Sequence, residues 1–243
     1  MIRFGSIDWN EDCKNAISDL INVSEPQLTM GKNVNLFEMQ FAKWLGSKYA
    51  VFMNSGTSAV MTAIQSVKDI YIQEGEEPKQ VSTTALTYPA DWNAIRYCNL
   101  KPHISDVNDQ MVQDLYKNDY GCSLYDMTMP VHLLGKPCKG IDKFCSDIED
   151  TCESLGSSVN GKKLGTFGHC GVFSFYVSHQ MTTIEGGMVV TDNLDLYENL
   201  LSSRDNGRLC VCPQCTLKLA GKCKKRYAQE TQQNERAKRF YID

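Results

Sequence analysis

Residues 148–191 read IEDTCESLGSSVNGKKLGTFGHCGVFSFYVSHQMTTIEGGMVVT, and they decide the fold. Three short runs, 147–151, 172–176 and 188–191, have the length and the β-branched or aromatic content of buried strands. A glycine-rich linker separates the first from the second, and Gly186-Gly187 opens the third. The first run carries two adjacent carboxylates, Glu149 and Asp150. Neighbouring side chains on a strand point to opposite faces, so these two do not form an acid/base dyad. The second run carries Ser174 and is followed, five residues on, by His179.

Strands and helices alternate on either side of this stretch. Cys13, Ile17, Leu20 and Ile21 share one helical face behind a cap at Asp8 or Asn10. A second helix has Phe37, Phe41, Trp44 and Leu45 on its apolar face and Gly46 as its C-terminal stop. Residues 49–53, 81–86 and 129–134 supply further strands. This order predicts an α/β fold with a mostly parallel sheet and helices on both faces. No internal repeat or low-complexity tract interrupts it. The stretch 222–243 is polar and basic, with Lys224, Lys225, Arg226, Arg236, Lys238 and Arg239, and reads as a solvated helix or loose tail.

Composition narrows the function classes. The chain has 243 residues, 42% of them hydrophobic, with a formal net charge of −4. Its mild acidity argues against nucleic acid as the main partner. It has no apolar run of about 18 residues and no basic-then-apolar leader, so neither a membrane span nor a signal peptide is expected. Eleven cysteines without a leader point to the cytoplasm, as free thiols or metal ligands rather than disulfides. Four of them crowd into positions 210, 212, 215 and 223.

Asn54-Ser-Gly-Thr-Ser-Ala59 follows a strand and opens a helical run. A turn of that kind offers backbone N–H groups, hydroxyls and the positive helix end to a phosphate. Alone, the same residues are as well read as an ordinary helix start. Tyr88, in Thr87-Tyr-Pro-Ala-Asp-Trp-Asn93, is by itself equally compatible with core packing and with stacking on a ligand.

The run of a strand ending in Glu-Asp, a glycine-rich linker, a Ser-Phe-aromatic strand and a Gly-Gly turn resembles the DegT/DnrJ/EryC1/StrS sugar aminotransferases. The resemblance implies the large domain of a fold-type-I pyridoxal-phosphate enzyme over 1–209, with a Cys-rich segment and basic tail over 210–243. That family places its cofactor-binding lysine where this chain has His179. Lysine can hold an aldehyde as an imine; imidazole cannot, but it moves protons near neutral pH. His179, with Met181-Thr182 and Glu185-Gly-Gly after it, is similar to the 3-dehydratase branch. There the cofactor is held non-covalently, as pyridoxamine phosphate, and the histidine acts as a base. The resemblance assigns Gly56, Thr57, Ser58 and Ser174 to the cofactor phosphate and Tyr88 to the ring face. It assigns Asp150 to the ring nitrogen, where a carboxylate keeps the pyridinium protonated, and Glu153 to the vicinity of the ring hydroxyl. It implies a nucleotide-linked 4-keto-6-deoxyhexose as substrate, loss of its C3 hydroxyl, and a homodimer.

Arg204-Asp-Asn-Gly-Arg-Leu-Cys210-Val-Cys212 resembles the segment that carries a 2Fe–2S cluster in part of that branch. The implied ligands are Cys152, Cys210, Cys212 and Cys223, with a reductase as electron donor. The family spacing would put the last ligand at Ala220, so choosing Cys223 takes an insertion of three residues. Cys210, Cys212, Cys215 and Cys223 could instead close a tetrahedral zinc site without Cys152. Relatives continue into a small C-terminal domain, and this chain is expected to stop before it. Two further readings stand beside the main one: a cluster-free dehydratase or aminotransferase relative, and a non-catalytic metal-binding remnant or partner subunit.

Overall fold

A run of helix, strand, helix, strand builds the first half, with caps where the sequence supplies them. The computed structural model describes residues 10–24, 26, 28–115, 127–144, 146–205 and 207. Its elements are α1 (Glu11–Ile21), α2 (Lys32–Leu45), β1 (Tyr49–Met53), α3 (Gly56–Gln73), β2 (Gln80–Thr84), α4 (Ala90–Tyr97) and β3 (Lys101–Ser105). There follow β4 (Met127–Thr128), β5 (Ile148–Asp150), β6 (Ser158–Val159), β7 (Lys162–Lys163), β8 (Cys170–Ser174), β9 (Gly187–Thr191) and α5 (Leu194–Arg204). Asn10 is the cap of α1, its side chain accepting from Cys13 N at 2.9 Å. Gly46 ends α2 in the left-handed conformation, φ 94°.

The strands form a four-stranded array, β1-β9-β8-β5, and a three-stranded array, β3-β2-β4. Just past β4 the chain joins the two: Asp150 N donates to Pro130 O and His132 N to Asp150 O, both at 2.9 Å. All the pairings along the joined array are parallel except those of β9, which is antiparallel to both β1 and β8. This is the mostly parallel, doubly covered sheet that the alternation of elements predicts.

Both faces are buried, and the side chains alternate between two cores as the strand period requires. Val51, Met53, Val172 and Val189 pack with Ala59, Ala63 and Ile64 of α3 and Leu196 and Leu200 of α5. Ala50, Phe173, Phe175, Met188 and Val190 pack with Phe41, Ala42 and Leu45 of α2. Phe41 meets Phe173 and Phe175 edge-on, with ring centroids 5.1 and 5.5 Å apart. Removing one such ring from a closed core costs about 3–5 kcal/mol.

Three expectations need correction, and one strand is new. Trp44 is 47% exposed; Phe41, Ala42 and Leu45 carry the buried face of α2 instead. The run 129–134 is not a strand: β4 stops at Thr128, only Val131 bridges, and Leu133–Gly135 is a 3-10 turn. None of the residues of α1 is buried, despite its apolar face. β3 was not expected; it is an edge strand, largely exposed and containing Pro102, so it lacks the apolar signature of a central strand. Among the described residues no helix is long and apolar enough to cross a membrane.

Candidate cofactor site

The parallel strands all end at one edge of the sheet, and antiparallel β9 begins there. The turn after β1, the loop after β2, the end of β5, the loop after β8 and Gly186-Gly187 therefore meet. Ligands bind at this edge in open α/β sheets.

The turn after β1 is built for close approach. Ser55 caps α3, its hydroxyl accepting from Ser58 N at 3.1 Å. A Cβ on Gly56 would lie 2.7 Å from Ser174 Cβ and 2.9 Å from its Oγ. A Cβ on Gly187 would lie 2.2 Å from Ser55 O and 2.8 Å from Gly56 N. Only glycine fits at these two positions. They bring Gly56, Thr57, Ser58 and Ser174 together at the N-terminus of an 18-residue helix. Backbone N–H groups and the helix dipole there suit an anion.

Asp150 ends β5 and is buried. Its Oδ1 accepts from Cys152 N at 2.9 Å. Its other neighbour is Asp91 on α4, a buried carboxyl that accepts from the Thr87 hydroxyl. Burial first, and then the Asp150 charge, hold the Asp91 pKa well above the usual carboxylate range. The two carboxyls are hydrogen-bonded, and that contact raises the Asp91 pKa further. Tyr88 begins the same segment, with Asp91 N donating to Tyr88 O at 3.1 Å, and its side chain is 73% exposed.

Glu149 faces the other way, as the strand period requires. Its Oε2 accepts from Gly165 N at 2.9 Å and meets His132 Nε2 at 3.1 Å. Its Oε1 accepts from Phe167 N and from Gly168 N, the latter at 2.7 Å. Cys138 N donates to His132 Nδ1 at 3.0 Å, so the ring proton sits on Nε2 and points to Glu149. This carboxylate is saturated by its own scaffold.

His179 lies in the loop after β8, its N–H bonded to Tyr176 O at 3.0 Å and its ring edge-on to Tyr176. Burial lowers its pKa, and the carboxylates of Glu153 and then Asp150 pull the other way. Glu153 and Asp150 are thus the carboxylates close enough to act on the imidazole. Glu153 is fixed from both sides: its Oε2 accepts from Leu134 N at 3.1 Å and its carbonyl from Gln180 Nε2 at 2.8 Å.

Three features escaped the sequence. Asp91 reads as an ordinary acidic residue in a helix's first turn, and its pairing with Asp150 is long-range. His132 lies in a run that looks like a strand. Glu38 on α2 looks like a surface residue, yet it is buried; it accepts from Phe52 N at 2.7 Å and from Arg204 Nη1. Arg204 also donates to Phe52 O at 3.1 Å, which pins the end of β1 just before the turn that opens α3.

Of the cysteine set, only Cys152 falls within the described residues; Cys210, Cys212, Cys215 and Cys223 lie outside them. Burial, followed by Asp150, Asp91 and Glu153, pushes the Cys152 thiol well up, which opposes a thiolate there unless a cation compensates. Among the described residues no group of three or more His, Cys, Asp or Glu side chains is arranged to hold a metal ion.

The family model for the DegT/DnrJ/EryC1/StrS aminotransferase family matches residues 10–214. The chain belongs to that family. It is 33% identical over 224 residues to GDP-4-keto-6-deoxy-D-mannose 3-dehydratase of Yersinia pseudotuberculosis, a match over 85% of this chain and 55% of the relative. Its fold superposes on Helicobacter pylori PseC, an aminotransferase of pseudoaminic acid biosynthesis, with a TM-score of 0.77 and 26% identity; the match covers 86% of this chain and 57% of PseC. It superposes on E. coli GDP-4-keto-6-deoxy-D-mannose-3-dehydratase with bound hydrated PLP at a TM-score of 0.71 and 28% identity, over 82% of this chain and 53% of that one. The fold of this family member is thus that of the PLP-dependent aminotransferases. The chain spans about half the length of the relatives it matches.

Proposed function

We propose that this family member binds pyridoxamine or pyridoxal phosphate at the sheet edge and removes the C3 hydroxyl of a nucleotide-linked 4-keto-6-deoxyhexose. The observation that carries this reading is His179. A half-buried imidazole, within the influence of Glu153 and Asp150, stands where the family's lysine is expected. The similarity to 3-dehydratases of such sugars supports it.

The residues present fit the cofactor. The cradle at Gly56 and Gly187 has no room for a Cβ, and the first turn of α3 with Ser58 and Ser174 would receive the phosphate. Asp150 would receive the ring nitrogen, and Tyr88, exposed and adjacent, would cover the ring face. A bound pyridine ring supplies an electron sink at the substrate carbon skeleton. His179, as a base, would take up on a ring nitrogen the proton released in the reaction and return it where the hydroxyl departs as water. Asp91 keeps Asp150 oriented through the hydrogen bond between them. Glu153 sets the height of the His179 loop through Leu134 and Gln180.

The reading includes a homodimer, and a 2Fe–2S cluster on Cys152, Cys210, Cys212 and Cys223 fed by an electron-donating reductase. The described residues do not make a metal site by themselves, and the proton chemistry at His179 stands apart from one. A second reading, a sugar aminotransferase, is favoured by the likeness to PseC; the absence of a lysine at position 179 weighs against it. An absorption spectrum of freshly purified protein, metal analysis and turnover of 4-keto-6-deoxyhexose nucleotides with and without glutamate separate these readings. Release of an amino sugar would overturn the dehydratase; zinc without a cofactor chromophore would favour a non-catalytic metal-binding protein.

A further inference from the structure

Among the described residues five other than glycine have a positive φ: Asn99, Met111, Leu134, Asn160 and Ile184. Asparagine tolerates this region, and unbranched side chains are disfavoured there less than branched ones. Ile184, at φ 72°, is the extreme case, because its branched Cβ crowds the following carbonyl. Such a residue persists only where its surroundings or its function demand it.

The surroundings demand the backbone but not the side chain. Ile184 N donates to Thr182 Oγ1 at 2.9 Å, and that hydroxyl donates to Phe175 O at 2.9 Å. Thr183 N donates to the same carbonyl at 3.1 Å. Glycine at 184 would keep every one of these bonds at no steric cost. Burial does not explain the isoleucine either, since 49% of it is exposed.

Its place in the fold does suggest a reason. The strap from His179 to Gly187 starts at the imidazole on which Glu153 and Asp150 act, and ends against Ser55 and Gly56 of the phosphate turn. Ile184 lies on that strap and, like Met181 and Tyr176 in the same loop after β8, is an exposed apolar side chain. We propose that Ile184 is a substrate-positioning residue whose side chain packs on the apolar face of the hexose in a nucleotide-linked 6-deoxy sugar. The inference rests on the function proposed above. A 6-deoxyhexose offers a methyl group and ring C–H faces, and covering them beside the proton-moving imidazole fixes the sugar relative to His179.

The test uses the full chain loaded with pyridoxamine phosphate. Calorimetric titration is run with GDP-, UDP-, CDP- and dTDP-linked 4-keto-6-deoxyhexoses, and with the matching free nucleotides. Ile184→Gly is expected to weaken the preferred nucleotide sugar about tenfold, to leave the free nucleotide unchanged, and to melt no lower than the parent. Ile184→Asn should behave like the glycine variant, and Ile184→Val should retain most of the affinity. Equal sugar affinity in parent and Ile184→Gly overturns the inference alone. A fall in melting temperature of several degrees makes Ile184 a packing residue, and loss of a dimer with sugar affinity intact makes it an interface residue; either result also overturns it. If the parent binds none of the nucleotide sugars, the proposed function itself fails and this inference with it.

Discussion

The two faces of β5 carry neighbouring carboxylates put to opposite uses. On one face Glu149 accepts three backbone N–H groups and the His132 ring, and so ties the 165–168 loop to the sheet. On the other, Asp150 accepts one backbone N–H and is hydrogen-bonded to the Asp91 carboxyl, which leaves it with fewer scaffold partners than Glu149. A carboxylate whose lone pairs are filled by its own scaffold is structural. One that is buried with capacity to spare is available to a ligand.

The contrast can be broken most sharply at Glu149. In Glu149→Gln an amide NH2 replaces one acceptor and faces donors, so unfolding by denaturant should show a loss of about 3–5 kcal/mol. A loss below about 1 kcal/mol would remove the structural role assigned to it. The opposite outcome is expected at Asp150. Asp150→Asn keeps an acceptor for Cys152 N, so its stability should stay within about 1 kcal/mol of the parent, while turnover falls about a hundredfold as the proposed ring-nitrogen partner is lost. His179→Lys should likewise fold normally. Borohydride treatment with pyridoxal phosphate should label residue 179 in that variant and not in the parent, because only an amine forms a reducible adduct. Label on the parent at another lysine of the site would sink the assignment of His179.

Asp91 sharpens the comparison with pH. Its folded pKa is raised, so over the window above the unfolded value near 3.8 the native state holds a proton that the unfolded state has lost. Stability therefore falls as pH rises through that window. Asp91→Asn removes this dependence, so between pH 4 and pH 7 the parent should lose stability relative to the variant. Parallel stability–pH curves for the parent and the variant would refute the shared proton. The smallest effect belongs far from β5: Ile17→Ser on α1 should shift stability by less than about 0.5 kcal/mol, since no residue of that helix is buried.

The sequence by itself determined the central strands, because residues covered on both faces must be apolar runs bounded by glycine or turn residues. It also placed Gly56 at the turn that opens α3 and Gly186-Gly187 at the start of β9, where short-range turn signals suffice. It misplaced Trp44 and the 129–134 run for one reason: an apolar residue reports that burial is available, not which partner supplies it. Apart from the single bridge to Asp150, this run turns its N–H groups to side chains, Val131 N to Gln113 Oε1 and Leu134 N to Glu153 Oε2, instead of continuing a strand ladder. Only the tertiary structure decided that β5 lies between β4 and β8, that His132 and the 165–168 loop converge on Glu149, and that Asp91 shares a proton with Asp150. Each of these joins residues from separate elements, and the energy of a buried carboxylate depends on what surrounds it in space rather than on its neighbours along the chain.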